Sequence, residues 1–296
     1  MTDPSVSPSQ TCLAVIGGSG LYELEGLDVT KEHEVETPWG SPSDNIIEGY
    51  FKDVRLLFLP RHGIGHRIPP SDLNARANIA ALKMLGATDV LSISACGSFK
   101  NELAPGSFVV VDQFIDRTRG RISSFFEPGL VAHVSMAHPV CSGLSEKVFS
   151  ACKSSEIEVQ MGGTYLAMEG PQFSCLAESK LYRSWGCDVI GMTNMPEAKL
   201  AREAELPYAS LAMVTDYDCW HEEEGPVEVT NILQVLSDNA AKARKMLTHL
   251  IPTIGPERTP SPDGIETVLD YAIVTAPEYR DPAVVDKIKA IGARVL

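Results

Sequence analysis

No stretch of this 296-residue sequence approaches the ~20 consecutive apolar residues that span a bilayer; its apolar runs are short, such as Leu56–Leu59 and Phe108–Val111. A membrane partner is therefore not expected. Residues 1–10 carry Pro4 and Pro8 but neither a basic start nor an apolar h-region, so no signal peptide is expected and residues 1–11 read as a flexible tail. No CxxC pair occurs among the seven cysteines (12, 96, 141, 152, 175, 187 and 219), which removes support for a zinc knuckle or a thioredoxin-like motif. An odd, unclustered set suits a reducing compartment, giving a cytoplasmic expectation, with at least five of the thiols acting as small buried hydrophobes. Positive charge is also scarce: 25 Lys and Arg against 39 Asp and Glu leave a net charge of −14. Nucleic acid and anionic membrane are bound by clustered Lys and Arg, so neither is expected as a partner. A small anion could be held only by a local nest of donors.

What the sequence has is strand and helix patterns in alternation, pointing to a single α/β domain with a central, mostly parallel mixed sheet flanked by helices. Leu13–Ile16, Val54–Leu59, Val90–Ile93, Phe108–Asp112, Thr164–Met168, Val189–Met192 and Tyr208–Val214 read as strands. Helices are expected at about Pro70–Leu85 with Gly86 as its stop, around Leu176–Trp185 before Gly186, from Pro196-Glu197 onward, and from Thr230 to about Leu250. Residues 12–254 would form the main body. Gly255–Gly264, with three prolines, reads as a linker before a last strand (Tyr271–Thr275) and a helix (Pro282–Ile291) on the same domain. Each notable polar cluster falls just after a strand's carboxyl end, the edge where open α/β sheets bind ligands.

Gly17-Gly18-Ser19-Gly20 follows the first strand, where glycines let backbone N–H groups approach an anion. It completes neither G-x-G-x-x-G, since counting from Gly18 the third glycine's place is taken by Glu23, nor a P-loop, which needs Gly-Lys-Ser/Thr. It could equally be a tight turn. Arg61-His62 adds a guanidinium suited to phosphate, though such a pair also suits a plain surface. Ser94-Ala95 and Thr193 offer hydroxyls and amides. Glu169–Ser174 (EGPQFS) presents an acid, an aromatic and a hydroxyl in succession, as a base-stacking wall or a turn with a core Phe would. Thr215-Asp216-Tyr217-Asp218 ends an apolar strand with two carboxylates two apart. A close acid pair can share one proton near neutrality, protonating a departing purine and accepting from an exocyclic amine. A helix N-cap or a Mg²⁺ pair would look similar, but no third carboxylate stands in a comparable setting. Val229, Ile232 and Leu233 lie at i, i+3 and i+4, the spacing of an ordinary core stripe. His133 and His138 match no zinc spacing.

Together these stretches resemble the methylthioadenosine phosphorylases, a branch of the trimeric purine nucleoside phosphorylase family. The match runs in order through Ile16–Leu21, Thr37–Asp44, Arg61-His62-Gly63, Ala95–Ser98, Asp112–Thr118, Glu169–Ser174, Met192–Glu197 and Thr215–Trp220, over about residues 12 to 250. The resemblance implies a nucleoside phosphorylase-like fold, with Ser19, Arg61, His62, Ser94, Ala95 and Thr193 around inorganic phosphate as co-substrate. It places the Met192 backbone at the ribose, Phe173 on the base face, Asp216 and Asp218 at the purine edge, and Ser174 behind an aspartate. Val229, Ile232 and Leu233 would line a 5′-methylthio pocket, with His133 reaching in from a neighbouring subunit. Ser19 and Ser94 stand where relatives often carry Thr. Asn194 replaces a common Thr and is left outside the expected site. The implied reaction is phosphorolysis of 5′-methylthioadenosine, with no metal or cofactor and a homotrimer or dimer of trimers. The alternatives are a 6-oxopurine or methylthioinosine phosphorylase, a hydrolytic nucleosidase, which needs no phosphate cradle, and a nucleotide-binding module, which needs no acid pair.

Overall fold

The computed structural model describes residues 10–18, 20–221 and 229–296, with side chains of the last stretch described from Leu233 onward. Its strands are β1 (Cys12–Gly17), β2 (Asp28–His33), β3 (Ile46–Phe51), β4 (Val54–Pro60), β5 (Asp89–Ser98), β6 (Phe108–Val111), β7 (Gln113–Asp116), β8 (Val159–Met161), β9 (Thr164–Ala167), β10 (Val189–Gly191) and β11 (Tyr208–Asp216). Six helices accompany them among the described residues: α1 (Ala75–Met84), α2 (Ser142–Ser154), α3 (Leu176–Ser184), α4 (Asn194–Glu203), α5 (Val229–Ile254) and α6 (Pro282–Gly292).

All eleven strands join one mixed sheet, in the order β2-β3-β4-β1-β5-β10-β9-β7, with β11, β6 and β8 branching from β5. The branch arises because β5 changes partners along its length. Asp89–Ser92 pairs in parallel with β1, Gly97 and Ser98 pair antiparallel with β10, and residues 90–97 pair in parallel with β11 along the other edge. Ile93–Cys96 therefore has a strand on one side only, and the sheet opens there.

The inner strands are apolar on both faces because helices cover both. In β1, Cys12, Ala14 and Ile16 join a core with residues of α1, α4 and α6, while Leu13 and Val15 join residues of α2 and α5. The same alternation divides β6, with Val109 and Val111 on one side and Phe108 and Val110 on the other. Five of the seven cysteines are buried, as their scatter suggested.

Three expectations shift. Pro70–Leu85 splits into a 3₁₀ turn (Pro70–Asp72) and α1, because the Asn74 side chain caps the helix by accepting from the Ala77 N–H at 3.2 Å. The expected strand at Tyr271–Thr275 is reduced to an isolated bridge between Ile273 and Ala132, flanked by the His133 N–H bond to Ala272 O and the Val274 N–H bond to Val131 O. The expected tail is tied down at its end: Gln10 bridges Glu257 and the Thr11 N–H donates to Pro256 O at 2.8 Å.

Candidate active site

At the opening beside β5, charge is managed inside the protein. Arg61, which follows β4, is 2% exposed. Its Nε and Nη2 bind the two Glu197 oxygens at 2.9 and 3.2 Å, Nη2 also reaches Ser92 Oγ (2.6 Å) and Ile16 O (3.2 Å), and Nη1 donates to Ile93 O (3.1 Å). One Nη1 hydrogen of the five is left for anything else. The guanidinium thus pins the end of β1 and the middle of β5 to α4. Breaking such a buried pair from one side costs about 3–5 kcal/mol.

Next to it, His62 Nδ1 lies 2.8 Å from Ile68 O and its ring stacks on His66 at 4.2 Å. Burial, the main cause, pushes His62 down to about 4, so the ring is neutral at pH 7 and, with Nδ1–H donating to the carbonyl, presents Nε2 as an acceptor. Across the opening, Ser94 Oγ donates to Asn194 Oδ1 at 3.1 Å. Asn194, fully buried, donates in turn to Tyr208 Oη at 3.3 Å and to Ser210 Oγ. Thr193 stands at the N-cap position of α4 beside it, and its side chain makes no capping bond.

Where β11 slips register against Cys96–Gly97, its last residue Asp216 comes over β5. Asp216 accepts from Thr215 Oγ1 and from the Asp218 N–H, both at 2.8 Å. A side chain on Gly97 would place Cβ 2.9 Å from Asp216 Oδ1, so this crossing requires glycine. Asp218 is in the left-handed region (φ 52°), which Asp tolerates better than most residues. It is buried, and its Oδ2 has no hydrogen-bond partner among the described residues. Burial raises Asp216. Burial pushes Asp218 up to about 6, with the Asp216 charge adding to it against the pull of the Ser179 and Ser174 hydroxyls.

The loop after β9 closes another side. Ser174 is buried and accepts from Cys219 Sγ at its carbonyl (3.2 Å), joining this loop to the acid pair. Phe173 beside it is 48% exposed. A Cβ at Gly170 would collide with the Met192 sulfur, so the Glu169–Ser174 loop packs tightly on the segment after β10.

The chain matches known proteins over nearly its full length. A model described as phosphorylase superfamily covers residues 13–252. The S-methyl-5′-thioadenosine phosphorylase of Cereibacter sphaeroides is 56% identical over 97% of this chain and 99% of its own. That of Bradyrhizobium diazoefficiens is 52% identical over 97% and 99%. A methylthioadenosine phosphorylase structure from an antarctic soil metagenomic library superposes with a TM-score of 0.89 at 43% identity, covering 96% of this chain and 99% of that one. The chain belongs to the methylthioadenosine phosphorylases. A Schistosoma mansoni member of the family, a mutant crystallised in complex with methylthioadenosine, superposes with a TM-score of 0.78 at 37% identity over 83% of this chain and 93% of that one.

Within this phosphorylase fold, Arg61 and Ser94 are held against α4 through Glu197 and Asn194 next to Thr193, while Asp216, Asp218 and, through Cys219, Ser174 are joined where β11 ends beside Gly97 of β5. Ser19 and the Val229 and Ile232 side chains lie outside the described residues. Leu233 is 57% exposed, which excludes the core-stripe alternative for that residue. His133 is exposed on a segment whose backbone N–H donates to Ala272 O (2.9 Å). Sequence reasoning missed three residues. Glu197 and Asn194 support Arg61 and Ser94 from inside α4, and Arg121 holds two loops together. Their partners stand 136, 100 and 48 to 74 positions away, so although Asn194 and Glu197 lie within the Met192–Glu197 motif, nothing local shows what any of the three holds.

Proposed function

We propose that this chain cleaves 5′-methylthioadenosine with inorganic phosphate, giving adenine and 5-methylthioribose 1-phosphate. The observation that carries this reading is the Asp216/Asp218 pair at the end of β11, with Asp218 buried and its Oδ2 without a hydrogen-bond partner among the described residues, beside the β5 opening that Arg61, Ser94 and Thr193 border. Phosphate would sit against the Gly17-Gly18-Ser19-Gly20 segment, the remaining Arg61 hydrogen, the Ser94 and Thr193 hydroxyls and the Ala95 amide, with neutral His62 accepting from a protonated phosphate oxygen. A phosphate oxygen attacks C1′ as the C1′–N9 bond breaks, and the bond electrons leave with the purine. The acid pair gives its one proton to N7, while the carboxylate left charged accepts from the 6-amino group. The anion stabilises the cationic character that develops on the sugar. No metal or cofactor is needed for this sequence of events.

The Met192 backbone would hold the ribose hydroxyls, Phe173 would cover the base, and Val229, Ile232 and Leu233 would receive the methylthio group. The exposure of Phe173 and Leu233 supports this reading, since each leaves apolar surface for a ligand or a neighbouring chain to cover. A homotrimer or dimer of trimers, with His133 serving the adjacent site, and a cytoplasmic location complete the proposal. Among the described residues no helix is long and apolar enough to cross a membrane.

The test is initial rates with methylthioadenosine, adenosine, inosine and methylthioinosine, with and without phosphate. Methylthioadenosine should exceed adenosine by ~10-fold or more in kcat/KM, since a methyl-sized group in an apolar pocket is worth ~1–3 kcal/mol. Equal rates without phosphate would turn the reading to a nucleosidase. A preference for the inosines would turn it to a 6-oxopurine enzyme.

A further inference from the structure

Arg121 lies in the segment after β7, outside every group expected to touch substrate. Its side chain is 7% exposed. Nε faces both Glu169 carboxylate oxygens (3.2 and 3.1 Å), Nη2 donates to Glu169 O (2.6 Å), and Nη1 donates to Met192 O (2.6 Å) and Met195 O (2.9 Å). One planar fork therefore binds two separate loops, the one that begins EGPQFS and the one that follows β10. The segment that carries it is anchored as well. The Arg119 N–H donates to Glu169 Oε2 at 2.6 Å, and Asp116 accepts from Thr118 and from Lys199 Nζ at 2.6 Å.

The consequence follows from peptide geometry. The Met192 carbonyl and the Thr193 N–H share one planar unit and point in opposite directions. Holding the carbonyl on Arg121 fixes where the Thr193 amide points. Holding Glu169 by both backbone and carboxylate fixes where Gly170–Ser174 leaves the sheet. A surface ion pair would need none of the three carbonyl contacts, and a lysine could not reach several acceptors in one plane. Ordered water cannot substitute at a side chain so enclosed.

We propose that Arg121 is a positioning residue: it sets the ribose- and phosphate-facing segment at Met192–Thr193 against the base-facing wall at Phe173–Ser174, so that nucleoside and phosphate are held in attacking register. The proposal rests on the function proposed above. It predicts that losing the clamp costs rate through misplacement, for which ~10²-fold is the usual scale.

The experiment uses the full chain with Arg121→Lys and Arg121→Ala, read by steady-state kinetics and by amide hydrogen exchange. Both variants should exchange faster at 169–174 and 192–195 and elsewhere match the unmodified protein. KM should rise for phosphate and methylthioadenosine together, kcat should fall, and added methylguanidinium should restore part of the Arg121→Ala rate. Unchanged kcat/KM in Arg121→Ala overturns the proposal, as does lost activity with unchanged exchange in those two segments. If the unmodified chain shows no phosphorolysis, the function reading falls on its own. Exchange then decides the clamp: faster exchange confined to the two segments upholds it, and unchanged exchange overturns it.

Discussion

Asp216 and Asp218 differ in surroundings although they stand two residues apart. Asp216 receives a hydroxyl and an amide hydrogen, both of which favour its charged form. Asp218 is turned by its left-handed backbone into a buried place where one oxygen meets no donor among the described residues, and its carboxyl is pushed up to about 6 by burial first and by the Asp216 charge. In the free protein, then, Asp218 is the member that keeps a proton to the higher pH, and titration belongs to the pair as a whole. If the protonated pair is the working form, kcat/KM should fall as pH rises through about 6 and the last proton leaves. Asp218→Asn cannot titrate, so its profile should lose that limb. Phosphate ionises identically in both assays, and the difference between the two profiles isolates the pair. Asp216→Asn should lower kcat by ~10²-fold or more and move preference toward 6-oxo purines, because an amide can donate to O6. A limb that persists unchanged in Asp218→Asn would show that another group is responsible. Arg61 calls for a different reading. Arg61→Ala strands Glu197 in the interior, so a stability loss of about 3–5 kcal/mol should accompany any rise in phosphate KM, and denaturant unfolding would reveal it.

Strands read well from sequence where both faces are covered. β1, β5, β6 and β11 are almost wholly buried, and their unbroken apolar runs announced them. β2 went unread because five of its six residues are exposed and the sixth is partly so, which leaves no apolar period to find. β7 and β8 are four and three residues long and mostly only partly buried, too short to show a period. The site was legible in a similar way. Residues facing ligand space stand in short motifs after strands, whereas those that hold them in place are scattered on other elements. Asn194 was set aside because relatives often carry Thr there, yet it is the acceptor for Ser94. The crossing of β5 and β11 gives a prediction of its own. Gly97→Ala would bring a methyl within 2.9 Å of Asp216 Oδ1, 3.1 Å of Ile190 Cγ2 and 3.3 Å of the Asp218 N–H. The acid pair must move, and kcat should drop ~10²-fold, the scale of a misplaced catalytic group, with a smaller change in phosphate KM. A fully active Gly97→Ala enzyme would mean that the pair tolerates displacement and that its place over β5 is not what the reaction needs.

At the scale of the molecule, a net charge of −14 opposes loose self-association, so any stable assembly needs a well-defined apolar contact. One surface fits. The His133 N–H bonds Ala272 O and the Val274 N–H bonds Val131 O, each at 2.9 Å, which brings two distant segments edge to edge. Together they expose Val131 (40%), Tyr271 (98%) and Val274 (59%) next to His133. Contiguous apolar exposure of this kind marks contact surfaces in soluble proteins. It is also where the C-terminal segment beyond the main body joins the His133 loop, so an interface here would carry His133 to a neighbour's nucleoside pocket, as the proposed trimer requires. Light scattering should therefore give a mass three or six times that of the chain. Tyr271→Lys with Val274→Glu should lower that mass, and because subunit association is governed by mass action, the double variant's specific activity should fall on dilution where the unmodified enzyme's does not. Methylthioadenosine KM should rise in the dissociated form more than phosphate KM, since only the nucleoside end of the site would lose a neighbour's residue. A monomeric unmodified chain with full activity would remove the trimer and the role of His133 together, leaving the exposed Tyr271 patch unexplained.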